Sequence, residues 1–311
     1  MISIRATRLT LASLALAACL VGPVAAQQTK ISHAQGEASF ASVPQKIFVY
    51  DIASLDTLHA LGVEVAGVPS ANFPEHLAQY AGEQYLKIGS LFEPDYELVN
   101  AEQPDLIVVA GRSAAVYPQL SAIAPTIDLS VDWTNFVGSI KERSETLGEI
   151  FGKQDEVEAR IAAIDADVAA VQEAAKTAGD ALILMTVGGG DMSAFGPGSR
   201  FGWLHDELGL VPAAKDVATE GSHGQTVSFE YLLETDPDWL LVIDRDAAVP
   251  NGTGGSAQAV LDNELVAQTQ AAQNDHIVML DPIGFYIVNG GLQTLQNMID
   301  QVGAAIGADL D

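Results

Sequence analysis

Cysteine is almost absent. The one cysteine among 311 residues, Cys19, lies in an apolar leader, so the rest of the chain can form neither a disulfide nor a cysteine-ligated metal centre. Positive charge is scarce too: 14 Lys and Arg face 41 Asp and Glu, a formal net charge of -27. A surface of that sign repels phosphate backbones and anionic headgroups, which argues against a nucleic-acid or membrane-surface role. After the leader there is no apolar run of about 18 residues, so no membrane-spanning helix is expected in the processed chain. Also missing are a nucleophile elbow, a nucleotide-binding glycine fingerprint and paired metal-binding carboxylates with histidine, the common marks of an enzyme.

The leader itself is informative. Met1 to Arg8 carries Arg5 and Arg8 and no acid, Leu9 to Val21 is apolar, and Val24-Ala25-Ala26 supplies small residues for cleavage. Residues 1–26 therefore read as a secretory signal peptide, and the product is expected to be soluble and exported. Leu16-Ala17-Ala18-Cys19 also resembles a lipobox, which leaves a lipid anchor at Cys19 as the alternative.

Short apolar runs such as Ile47 to Tyr50, Leu106 to Val109, Ala181 to Val187, Leu240 to Ile243 and Ile277 to Leu280 alternate with helical patterns. That alternation predicts an α/β fold. Val157, Ile161, Ile164, Val168 and Val171 recur at helical spacing in a stretch, 154–178, that holds neither Gly nor Pro. One long amphipathic helix is predicted there, dividing the chain into an N-terminal lobe over 30–150 and a C-terminal lobe over 180–311. The lobes share a repeat. Tyr96-Glu97, Pro104-Asp105 and a strand ending in Arg112 recur as Phe229-Glu230, Pro237-Asp238 and a strand ending in Arg245, displaced by 133 residues throughout. In open α/β sheets ligands collect beyond the carboxyl ends of the strands, where both arginines fall, so a ligand cleft between the lobes is expected.

Five arginines follow the leader. Arg143 and Arg160 lie in Glu-rich helical patterns and read as solvated ion-pair partners. Arg112, Arg200 and Arg245 instead sit in loops after strands or glycine turns, and in so acidic a chain they suggest a local pocket for an oxyanion. Salt bridging, for example from Arg245 to Asp244 or Asp246, is the structural alternative. His223 lies in a glycine-flanked polar loop, and Tyr286 stands between a strand and a glycine-opened helix. Imidazole and phenolate are both competent ligands of ferric iron.

Taken in order, the leader, the two lobes, the linking helix, Gly111-Arg112-Ser113, Gly198 to Gly202, Ser222-His223-Gly224, Asp244-Arg245 and Phe285-Tyr286 through Gly290-Gly291 resemble the periplasmic ferric-siderophore-binding proteins of ABC transporters. The likeness is strongest to those serving catecholate siderophores such as enterobactin. It implies two Rossmann-like lobes joined by a single long helix, no catalytic residues, and a ferric siderophore as transported ligand rather than a permanent cofactor. Arg112, Arg200 and Arg245 would face the siderophore oxygens. His223 and Tyr286 would complete iron coordination for a tetradentate chelate, and Glu97 and Glu230 would dock a two-fold symmetric ABC permease in the inner membrane. A monomer is expected, with haem or cobalamin as alternative ligands in the same fold. Two departures stand out: Phe285 replaces a frequent Trp, and Val288-Asn289-Gly290-Gly291 replaces a loop in which a Ser and a third Gly are common.

Overall fold

The apolar runs become strands because β-branched and large side chains pack on both faces of sheets covered by helices. The computed structural model describes residues 29–217, 224–249 and 255–310. A hairpin of β1 (Thr29–His33) and β2 (Gly36–Phe40) precedes the first lobe. That lobe is a parallel sheet of β3 (Ile47–Val49), β4 (Gly67–Val68), β5 (Leu86–Lys87), β6 (Leu106–Val109) and β7 (Thr126–Asp128), ordered β5-β4-β3-β6-β7.

The second lobe is built around β8 (Asp180–Val187), whose neighbours β9 (Asp191–Phe195) and β10 (Val211–Pro212) share one edge. Strand β11 (Gln225–Val227) extends that side, and β12 (Trp239–Asp244) with β13 (Ile277–Leu280) the other. Strands β8, β12, β13 and β10 run parallel, whereas β9 is antiparallel to β8 and β11 to β9.

Between the lobes runs one helix, Gln154–Ala178. Val157, Ile164 and Val171 of the predicted stripe are buried, with Ile161 and Val168 half-buried beside them. The apolar cluster they join takes in Ile183, Leu241 and Ile243 of the second sheet together with Phe136 and Ile140, which precede the linker. The first lobe's cluster in turn takes in Ile287 and Val288 from the second. Because each core borrows side chains from the other lobe, opening a hinge would expose apolar surface, and a continuous helix allows little rotation.

The 133-residue repeat is structural as well. Helices Tyr96–Glu102 and Phe229–Thr235 begin on side-chain caps, Asp95 accepting from Leu98 N and Ser228 from Tyr231 N. They end at Gln103 and Asp236, both left-handed with φ 46°. The Pro-Asp acids that follow anchor a neighbouring strand: Asp105 accepts from Gln45 N and Lys46 N, and Asp238 from Asp180 N.

A buried carboxylate ties the lobes together. Asp56, on the Ile52–Ala60 helix, accepts from Gln293 N at 2.8 Å, Thr294 N at 3.2 Å and Thr294 Oγ1 at 2.8 Å, capping the final helix, Leu292–Ile306. His76 Nε2 stands 2.6 Å from Oδ1 of the same group, the oxygen that also accepts from Thr294 Oγ1. The approach is so close that a Cβ on Gly291 (φ +82°) would lie 2.4 Å from Asp56 Oδ2, which is why glycine opens this helix. Asp56→Ala would leave these donors buried without partners. We expect it to lower unfolding stability by about 3 kcal/mol, read as a fall in the denaturant midpoint.

Candidate functional site

Beyond the carboxyl ends of the strands lies a cleft of about 650 Å³ between the lobes. Its centre is Tyr286, carried on a π-helical turn, Ile283–Val288, that closes with Asn289 N donating to Gly284 O at 2.7 Å. Asn289 is left-handed (φ 47°) and Gly290 and Gly291 follow with positive φ, so the chain leaves the turn without using its last carbonyls. Cations satisfy them. Arg112 Nη2 and Arg200 Nη2 donate to the Tyr286 carbonyl at 2.6 and 2.8 Å, and Arg112 Nη1 donates to Ile287 O at 3.0 Å. Arg245 Nε donates to the Tyr286 hydroxyl at 3.2 Å. The three guanidinium carbons lie 5.7, 4.8 and 5.8 Å from the Tyr286 ring centroid, in the order Arg112, Arg200, Arg245.

Each arginine is placed by local chain geometry. Arg112 follows β6 in the turn Gly111–Val116, held by Gly111 N donating to Ser130 Oγ at 2.9 Å while Ser130 Oγ donates to Asp128 at 2.6 Å. Arg200 sits in a folded loop after β9, where Gly198 N donates to Asp206 at 2.6 Å and Ser199 Oγ to Gly196 O at 2.6 Å. A Cβ on Gly202 would lie 2.6 Å from Gly196 O, so this loop can close only on glycine. Arg245 opens the helix Arg245–Ala248, capped by Asp244, which accepts from Ala247 N and Ala257 N.

The charges are unevenly balanced. Arg245 pairs with Asp246 at 3.2 Å, as the salt-bridge alternative anticipated, while still reaching Tyr286. Among the described residues no acid pairs with Arg112 or Arg200. Burial lowers the pKa of Arg112, and burial followed by repulsion from Arg112 draws that of Arg200 down to about 10. Both stay cationic at neutral pH, at the cost of desolvation and mutual repulsion that an oxyanion between them would relieve. Arg200 Nε is buried with no hydrogen-bond partner among the described residues.

Arg143 is not the solvated residue its Glu-rich surroundings suggested. It lines the cleft, and its Nη2 donates to Asp51 at 2.8 Å and Ser54 Oγ at 3.3 Å. Asp51 also caps the Ile52–Ala60 helix. The overlooked signal was register: Arg143 stands three residues after buried Ile140 and four before buried Leu147, on the inner stripe of the Phe136–Phe151 helix. Arg160, in contrast, has no acidic partner among the described residues and donates to Ala60 O at 3.1 Å and Gln293 at 3.4 Å, bridging both lobes from the linker. Phe92 and Trp133, also unrecognised in the sequence, line the cleft as well. His223 lies outside the described residues. Glu97 and Glu230 are not among the residues lining the cleft and stand exposed in the first turns of the two repeated helices.

Comparison with known proteins gives the same architecture a family. The periplasmic binding protein family matches residues 47–283. The petrobactin-binding protein YclQ of Bacillus subtilis is 40% identical over 83% of this chain and 81% of its own, and its crystal structure superposes with a TM-score of 0.85 over 91% and 100% of the two chains. The ferric-anguibactin-binding protein FatB of Vibrio anguillarum is 31% identical over 88% of this chain and 85% of its own. The catecholate-siderophore-binding protein VctP of Vibrio cholerae is 32% identical, with a TM-score of 0.84 over 89% and 100%. These relatives are binding proteins and not enzymes, and with a family match across most of its length this chain belongs to the periplasmic binding protein family.

Proposed function

We propose that this chain is the periplasmic receptor of an ABC iron-uptake system and captures a ferric siderophore whose oxygens are catecholate anions. One observation carries the reading: in a chain of net charge -27, three arginines from two lobes converge within 6 Å of one tyrosine ring, two of them without an acidic partner among the described residues. A multiply charged chelate supplies the anions that such a pocket lacks, with charge-assisted bonds to guanidinium forks. Relatives that bind petrobactin, ferric anguibactin and catecholate siderophores support it. Haem and cobalamin, the alternatives in this fold, are not favoured by those relatives. No helix among the described residues is long and apolar enough to cross a membrane. The signal peptide, the alternative lipid anchor at Cys19 and the lobe boundaries at 30–150 and 180–311 are part of the same proposal, as is a monomeric receptor.

Capture needs no covalent chemistry. Arg112, Arg200 and Arg245 orient the chelate through its oxygens, and the cargo iron is held by the siderophore. Arg245 keeps the Tyr286 hydroxyl at the cleft. With a tetradentate chelate, Tyr286 and His223 would take the two remaining positions on the iron. Delivery falls to Glu97 and Glu230, which present one carboxylate per lobe to a two-fold symmetric permease. A helix that returns antiparallel to the strand it feeds starts at that strand's carboxyl end. Both glutamates are therefore expected on the same face of the molecule as the cleft.

Titration of the wild type with a ferric catecholate should give saturable binding, and Ala at Arg112, Arg200 or Arg245 should weaken it by about 1 to 3 kcal/mol each. Unchanged affinity in all three variants would remove the oxyanion pocket. His223→Ala combined with Tyr286→Phe should abolish the protein-dependent shift of the iron charge-transfer band for a tetradentate chelate while sparing a hexadentate one. Glu97→Lys with Glu230→Lys should leave affinity intact and abolish iron uptake through the transporter. Normal uptake would return both residues to simple stabilisation of their helix N-termini.

A further inference from the structure

The cleft also presents aromatic surface that the charges leave unexplained. Phe92 is 60% exposed and Trp133 37%, two of the six large hydrophobic residues that stand in solvent among the described residues, and both line the cavity shared by Arg112 and Arg200. Exposed aromatic area is unfavourable in water, and two such rings on one cavity mark a surface meant to be covered.

Trp133 is braced from behind. Its ring stacks on Phe136 at 5.8 Å between centroids with 12° between planes, Phe136 stacks on buried Trp203 at 5.0 Å, and Trp203 on Phe285 at 6.4 Å and 19°. The stack thus runs from the cleft to the residue beside Tyr286. A ring already held in one orientation loses little further freedom when a ligand stacks on it, so more of the contact energy appears as affinity. Arg200 adds direction. Its guanidinium carbon is 5.9 Å from the Trp133 centroid, 5.0 Å from Phe201 and 4.8 Å from Tyr286. A planar ring laid on Trp133 would bring oxyanions on its edge to that guanidinium. An aliphatic chelate offers the oxyanions but nothing to cover the rings.

We propose that Phe92 and Trp133 form an aryl-stacking subsite that selects ferric chelates whose donor oxygens are carried on aromatic rings over chelates with aliphatic donors. This rests on the receptor function proposed above and assigns its selectivity to named residues.

The test uses calorimetric titration of the full mature chain with the ferric complexes of 2,3-dihydroxybenzoate and of acetohydroxamate. Wild type should prefer the catecholate. Trp133→Ala and Phe92→Ala should each weaken catecholate binding by about two- to twelvefold, leave the weaker hydroxamate binding unchanged, and Trp133→Phe should restore most of the loss. With gallium replacing iron, the catechol ring protons should move upfield on binding to wild type, and Trp133→Ala should lose that ring-current shift. Phe92 lies on an exposed loop, so its truncation tests the idea even if Trp133→Ala fails to fold. Equal affinities and shifts in wild type and both Ala variants, or equal losses for the two chelates, would each overturn the subsite and leave the receptor function standing. A wild type that binds hydroxamate as tightly as catecholate would overturn the subsite together with the catecholate reading, and leave only the capture of ferric chelates. A wild type that binds neither complex would overturn both.

Discussion

Asp56 is the contact on which the geometry of the cleft depends. Its carboxylate is buried on the first lobe and caps the final helix of the second through two backbone N–H groups and a hydroxyl. Immediately before that helix come Gly290 and Gly291, and before them the π-helical turn that carries Tyr286. The cap therefore sets where the turn ends. That position in turn decides whether Arg112, from the other lobe, can reach the Tyr286 and Ile287 carbonyls. A charge held by several donors in a low-dielectric setting tolerates little displacement, since any shift leaves a partner unsatisfied. The same rigidity follows from the interlocked cores and the continuous linker. Such interlocking favours a cleft that is already formed before a ligand arrives.

The pocket is locally at odds with the rest of the molecule. Over the whole chain acids outnumber bases about threefold; at the cleft two arginines share one carbonyl and repel one another, and burial weakens the hold of Arg200 on its proton. Such an arrangement costs folding free energy, and the unused π-turn carbonyls offset part of it by accepting from the guanidinium groups. What remains is available to an anion. Arg143 obeys the opposite logic, its charge cancelled by Asp51 on the cleft wall, so the cleft combines a neutralised pair with cations that have no acidic partner.

Duplication explains part of this layout and its limits. The repeated units share helix caps, left-handed exits, Pro-Asp anchors and an arginine after the strand, and so deliver Arg112 and Arg245 to comparable ends of two sheets. The third arginine has no counterpart. Arg200 comes from the loop after β9, which runs antiparallel in the second lobe, whereas every strand of the first sheet is parallel. The asymmetry adds a third cation around the Tyr286 ring.

The alternation of apolar runs, the stripe from Val157 to Val171 and the 133-residue repeat made the α/β class, the long helix and the kinship of the lobes readable from the chain alone. These are properties of local period and composition, which fold similarly wherever they occur. The three loop arginines stood out for a related reason, their place after strands or glycine turns in an acidic chain, though Arg245 also makes the salt bridge that was the alternative. Arg143, Arg160, Phe92 and Trp133 did not stand out. Arg143 and Arg160 look like partners of the glutamates near them in sequence, but which face of their helices meets the core is decided only when the lobes pack. Phe92 and Trp133 stand in separate loops, with no spacing to link them. The fold brings them to one cavity, because a cleft between lobes is assembled from segments that share no sequence period.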